Sequence, residues 1–157
     1  MRQSKLLATQ LQRRDPDAWT ALLRDYMELE GLVVTAVSTQ PIPPRTKNSR
    51  RMMRYILELA GHSDPISLIG RHIEAVEAAF YRDFALRLPH LTPGCIFLHQ
   101  AEANGSAWAV LDDVPDDIDP GRWAVADVNA ILEKLAHLHA TFIDQTDELT
   151  SAGLPQR

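Results

Sequence analysis

The sequence predicts an α+β fold in which a five-stranded antiparallel sheet carries one packed helix and further flanking helices. Three observations lead there. A run rich in β-branched residues at 32–40 and two further strand candidates at 51–59 and 66–71 follow one another with only polar loops between them, the pattern of an antiparallel meander. Two more apolar runs, 95–102 and 107–111, are divided by Ala103-Asn104-Gly105-Ser106, and Asn-Gly between apolar runs is a strong hairpin signal. Apolar residues recur at helical spacing over 16–30, 72–88 and 125–142. Strands and helices segregated in this way belong to the α+β class.

Residues 1–15 are a mixed polar stretch containing Gln10, Gln12, Arg13 and Arg14, read as an N-terminal extension. Asp15-Pro16 then offers an N-cap followed by proline at the first helical position, and Trp19, Leu22, Leu23, Tyr26 and Met27 form an apolar stripe before Gly31. The first strand is expected to stop at Pro41-Ile42-Pro43-Pro44. His62-Ser63-Asp64-Pro65 makes a turn between the second strand and the third. Ile73, Val76, Phe80, Phe84 and Leu88 mark the next helix, which must end before Pro89. Val125, Val128, Ile131, Leu132, Leu135, Leu138 and Phe142 make a last helical stripe with no evident cap, and 143–157 reads as a loose tail.

The chain has 157 residues with 45% hydrophobic and 24% charged, which fits one globular core and no low-complexity segment. Its net charge of -5 provides no footprint for nucleic acid, and no apolar run reaches the length of about 18 residues expected of a membrane helix. Small molecules or proteins are the expected partners. The one basic cluster, Arg45, Lys47, Arg50, Arg51 and Arg54, is either a solvated loop or a set of local phosphate contacts. A lone cysteine, Cys95, beside Ile96 and Phe97 reads as a buried strand thiol, and a reducing cytoplasmic location is expected. The aspartates between Asp112 and Asp119 lack the central glycine and terminal glutamate of a calcium loop. His137 and His139 are two apart on a helix and point to different sides, so no metal site is expected from this chain alone.

Three segments in order carry a more specific signal: Glu77-Ala-Ala-Phe80-Tyr81, Val110-Leu111-Asp112-Asp113-Val114, and Leu135-Ala-His137-Leu-His139-Ala140. Together they resemble the N-terminal, ATP-binding lobe of the aminoglycoside phosphotransferase and choline kinase-like family of small-molecule kinases. The resemblance spans about residues 17 to 155 and implies a protein-kinase-like N-lobe at 16–114. Residues 115–142 would then be the hinge linker and the first helix toward a second lobe.

In such kinases a helix glutamate pairs with a strand lysine that holds the nucleotide phosphates. The resemblance gives Glu77 the first role and puts Arg71 where the family has lysine. Arginine keeps the charge but is a planar fork, so Arg71 either pairs with Glu77 or binds phosphate in its own way. Asp112, Asp113 and Val114 correspond to the hinge, whose main chain would meet adenine. The loop Pro41–Arg50, expected over the phosphates, has three prolines and no glycine, which removes backbone donors.

The family's catalytic loop, a His-Gly-Asp start with a nearby asparagine and a later magnesium-binding aspartate, is not among the 157 residues. The expectation is an incomplete phosphotransferase lobe, truncated or part of a split protein and inactive alone. It would bind ATP weakly and magnesium only with a second lobe, contributed by another chain or mimicked by self-association. The alternatives are a non-catalytic binding module on a degenerate kinase-like fold and an unrelated α+β domain.

Overall fold

Alternation of apolar and polar residues along three successive segments builds one half of the sheet. β1 (Val34–Ile42), β2 (Met52–Leu59) and β3 (Ile66–Ile73) pair antiparallel in turn, as the meander requires. β4 (Cys95–Gln100) and β5 (Ala107–Asp112) form the second antiparallel unit, with β5 against β3, so the spatial order is β1-β2-β3-β5-β4. The five-stranded antiparallel sheet expected from the sequence is therefore present. This computed structural model describes residues 2–43, 52–88, 91–100, 106–114, 123–143 and 145–151. Arg45, Lys47, Arg50 and Arg51 of the basic cluster, the Asn104-Gly105 turn, the linker 115–122 and the end of the tail lie outside the described residues.

Side chains alternate across a strand, so β3, β4 and β5 each feed two separate cores. On one face, α1 (Arg2–Gln12) and α2 (Pro16–Met27) bury Ala8, Leu11, Trp19, Leu22 and Leu23 against Tyr55, Leu57, Leu68, Trp108 and Val110. The Trp19 indole N–H donates to the Leu11 carbonyl at 3.1 Å, which satisfies the one polar atom this ring takes into the core. Gly70 sits beneath the aromatic pair: a Cβ there would stand 2.5 Å from Tyr55 Cε2 and 3.2 Å from Trp108 Cζ2. On the opposite face, α3 (Ala75–Asp83) packs Ala78 against Ile73, Ala107, Ala109 and Leu111.

Element ends depart from the sequence reading for identifiable reasons. β1 does not stop at Pro41 but pairs through it, Pro41 opposite Met53 and Ile42 opposite Met52. It is an edge strand, and a residue without an N–H is tolerated where one side of the strand has no partner. The helix expected from residue 72 begins at Ala75, because His72 and Ile73 stay in the ladder opposite Trp108 and Ala107. It is followed by a separate 3-10 turn, Ala85–Arg87.

The stretch 1–15, to which the sequence reading assigned no element, contains α1. Its Leu11 is fully buried, and Ser4 Oγ lies 2.9 Å from His99 Nδ1 on β4. Asp15 caps α2 as expected, accepting from the Asp17 N–H at 3.1 Å.

α4 (Val125–Phe142) is closed at its start by Asp127, which reaches back to accept the Ala124 N–H at 2.8 Å. The segment read as a loose tail holds a short helix, α5 (Thr146–Ser151). Arg87 joins these pieces: its guanidinium lies 5.0 Å from the Phe142 ring centre and pairs with Glu148 at 2.9 Å. Among the described residues no helix is long and apolar enough to cross a membrane.

Candidate functional site

The sheet face that α1 and α2 leave free is where charge collects. β3 sends Leu68 and Gly70 into the α1/α2 core, so by alternation Ser67, Ile69 and Arg71 project on the other side. There the Arg71 guanidinium Nη2 donates to Glu77 Oε2 of α3 at 2.8 Å. The two side chains keep 32% of their surface each, so the pair is formed yet open to solvent. Arg71 and Glu77 are thus brought together. A guanidinium bound through one nitrogen retains further N–H donors for an anion.

The three hinge candidates are not brought to one place. Asp112 stands opposite Leu68 and faces the α2 side, where its Oδ2 accepts the Gly94 N–H at 3.1 Å while its own N–H donates to the Gly94 carbonyl at 2.9 Å. Tyr26 of α2 shares this corner. Its hydroxyl pKa is raised, first by burial and then by the charge of Asp112. A Cβ on Gly94 would meet both the Asp112 carboxylate and the Tyr26 hydroxyl, so a larger residue there would push one of these side chains aside.

Asp113 turns the other way and is held by side chains of the adjacent β3 and of β2 beyond it. Arg54 Nε and Nη2 reach its Oδ2 and Oδ1 at 2.6 and 3.2 Å, and the Ser67 hydroxyl donates a short hydrogen bond to Oδ2. Burial alone would raise the Asp113 pKa. The hydrogen bonds from Arg54 and Ser67, with the Arg54 charge, reverse that and hold the carboxyl below the usual range. Val114 is exposed and makes no part of this cluster.

Arg54 and Ser67 were not singled out from the sequence as partners of the hinge. Strand parity carried the only signal, because both lie on the same face as Arg71 once the β2/β3 register is known.

Two clefts flank these groups. The larger, of about 1080 Å³, runs along β4 between α3 and α4 and includes Tyr81, Cys95, Asp112, Val114 and Lys134. It takes in two of the hinge candidates but not Arg71, Glu77 or Asp113. Arg82, Asp112 and Lys134 line the larger cleft, whereas Arg71 and Glu77 pair directly with each other on the open side of the sheet. The smaller cleft, of about 460 Å³, is aromatic and apolar and includes Phe80, Phe84, His139 and Phe142.

Cys95 lies between the sheet and the larger cleft. Its thiol is pushed up to about 11, mainly by burial, with the Asp112 charge adding to the effect. An unreactive strand thiol fits that environment. Among the described residues no three His, Cys, Asp or Glu side chains gather as a cation site.

Comparison of the chain with protein-family models, with curated proteins and with solved structures returned no match.

Proposed function

We propose that this chain is the nucleotide-binding lobe of an ATP-dependent phosphotransferase acting on a small-molecule hydroxyl, with the catalytic loop and metal-binding aspartate contributed by a second lobe. The observation that carries the reading is the Arg71–Glu77 pair at 2.8 Å, linking β3 to α3 on the open side of the sheet. Phosphoryl-transfer enzymes of this kind rely on a strand cation oriented by a helix carboxylate. Here Glu77 would orient the guanidinium and Arg71 would hold the phosphates, with Ile69 on the same face as an apolar wall for the base.

The exposed apolar residues of α4 suit a covering partner, since Val125 is 77% exposed and Val128 and Leu135 are also exposed. Leu138, grouped with them in the sequence reading, lines the small cleft against Phe80.

A second reading, a non-catalytic binding module on the same fold, is favoured by the arginine in place of lysine and by the unbroken β1 ladder through Pro41. Calorimetric titration with ATP separates the two. The kinase-lobe reading expects weak binding that Arg71→Ala reduces by at least about tenfold, the scale of one lost charge-assisted contact. Absence of ATP binding by the wild-type chain, or equal binding by Arg71→Ala, would overturn the kinase-lobe reading.

A further inference from the structure

The chain leaves the β3/β5 ladder at Asp112, and Asp113 and Val114 follow without strand partners. Asp112 is the last residue of β5 with a strand partner, Leu68. Beyond it the main chain has no ladder to follow, yet the Asp113 side chain is only 11% exposed. What holds it is a carboxylate gripped from two other strands: Arg54 of β2, 59 residues away in sequence, and Ser67 of β3, 46 residues away. An arginine fork on both carboxylate oxygens fixes orientation as well as distance. With Ser67 on Oδ2, three hydrogen bonds tie the exit of β5 to the adjacent β3 and, beyond it, to β2.

We infer that Arg54, Asp113 and Ser67 form a latch that sets the course of the main chain at residues 112–114 and so positions the backbone donors and acceptors that a nucleotide base would meet. The functional half of this inference rests on the nucleotide reading above. Asp113 and Arg54 are positioning residues in it, with no contact to the transferred phosphate. The labour at the two ends of the nucleotide is divided: Arg71, oriented by Glu77, serves the phosphates, and the latch serves the base.

The test uses the full 157-residue chain and two ligands, ATP and inorganic tripolyphosphate, which carries the phosphates without a base. Binding is measured by calorimetry, and hydrogen exchange at the amides of residues 112–114 is followed in the ligand-free protein. The variants are Asp113→Asn, which keeps the side-chain size, Arg54→Gln and Ser67→Ala, the last guarding against a variant that fails to fold. Asp113→Asn and Arg54→Gln are expected to weaken ATP by about tenfold and to leave tripolyphosphate within about twofold, with Ser67→Ala between them and wild type.

Exchange at the Asp112 amide, which donates to the Gly94 carbonyl, should quicken in the same order. Arg71→Ala should weaken both ligands. Wild-type ATP binding and exchange in Asp113→Asn, or equal weakening of both ligands, would overturn the latch. If the wild-type chain binds neither ligand, the nucleotide reading and the latch's functional half both fall. Quickened exchange in Asp113→Asn would then leave the latch as a structural device, and unchanged exchange would remove that too.

Discussion

Asp113 shows how one side chain changes meaning once its neighbours are known. In the sequence it is the second of two adjacent acids at the end of an apolar strand, and either could have faced either side. The β3/β5 register decides it, because Asp112 opposite Leu68 must share that residue's side and Asp113 must then face Ser67. The consequence is measurable. The Asp113 pKa lies lower in the folded chain than the value of about 3.9 for an unfolded aspartate. Its ionised form therefore contributes stability that is complete above the unfolded pKa and is lost as the pH falls through the folded one. Thermal midpoints of wild type and Asp113→Asn should differ at about pH 7 and draw together as the pH falls below the unfolded value. A separation that persists unchanged into acid would mean that the carboxylate charge contributes nothing. The Arg71–Glu77 pair was legible only through the family resemblance, which gave Glu77 its helix role and put Arg71 at the strand position facing it. Arg54 and Ser67 were not, because their roles depend on contacts across dozens of residues.

At the scale of elements, local pattern was sufficient wherever the chain pairs with its near neighbours, and insufficient where a distant surface decides. The β1–β2–β3 meander, the β4/β5 pair and the Asp15-capped α2 follow from alternation, turn residues and capping chemistry. α1 was hidden because glutamines and basic residues dominate it and its apolar stripe, Leu7, Ala8 and Leu11, lasts barely two turns. Short helices gain most of their stability from packing, which the sequence of the helix does not display. Here the packing is substantial: Leu11 is wholly buried and its carbonyl accepts from Trp19. Leu11→Ala should therefore cost about 2–5 kcal/mol in chemical denaturation, the range for a buried leucine leaving a cavity. A loss below about 0.5 kcal/mol would show that α1 is peripheral to the fold. α5 escaped notice for the same reason, as its link to Arg87 spans 61 residues.

At the scale of the whole molecule, the sheet is sandwiched unevenly. α1 and α2 cover one side broadly, whereas α3 covers only the β3–β5–β4 end of the other. α4 carries exposed apolar residues along much of its length, Val125, Val128, Leu132 and Leu135 among them. Such a surface favours association, and sedimentation velocity over a hundredfold range of protein concentration should show a rising average mass. Replacing Leu132 and Leu135 with glutamate should restore a constant one, and a wild-type chain that stays monomeric throughout would argue against a surface in need of cover. The overall α+β architecture was readable because hydrophobic periodicity switches cleanly between two and about 3.6 along the chain. The distribution of helices over the two sides was not, because each helix's partner is chosen by the register of strands it does not itself contain. That two-sidedness has a practical corollary for β3. Between Ile66 and Arg71, even-numbered side chains enter the aromatic core and odd-numbered ones line the charged side. A saturation scan of this one strand would accordingly resolve into two interleaved phenotypes. Changes at 68 and 70 would register as loss of folded protein, and changes at 67, 69 and 71 as altered ligand response in protein that still folds.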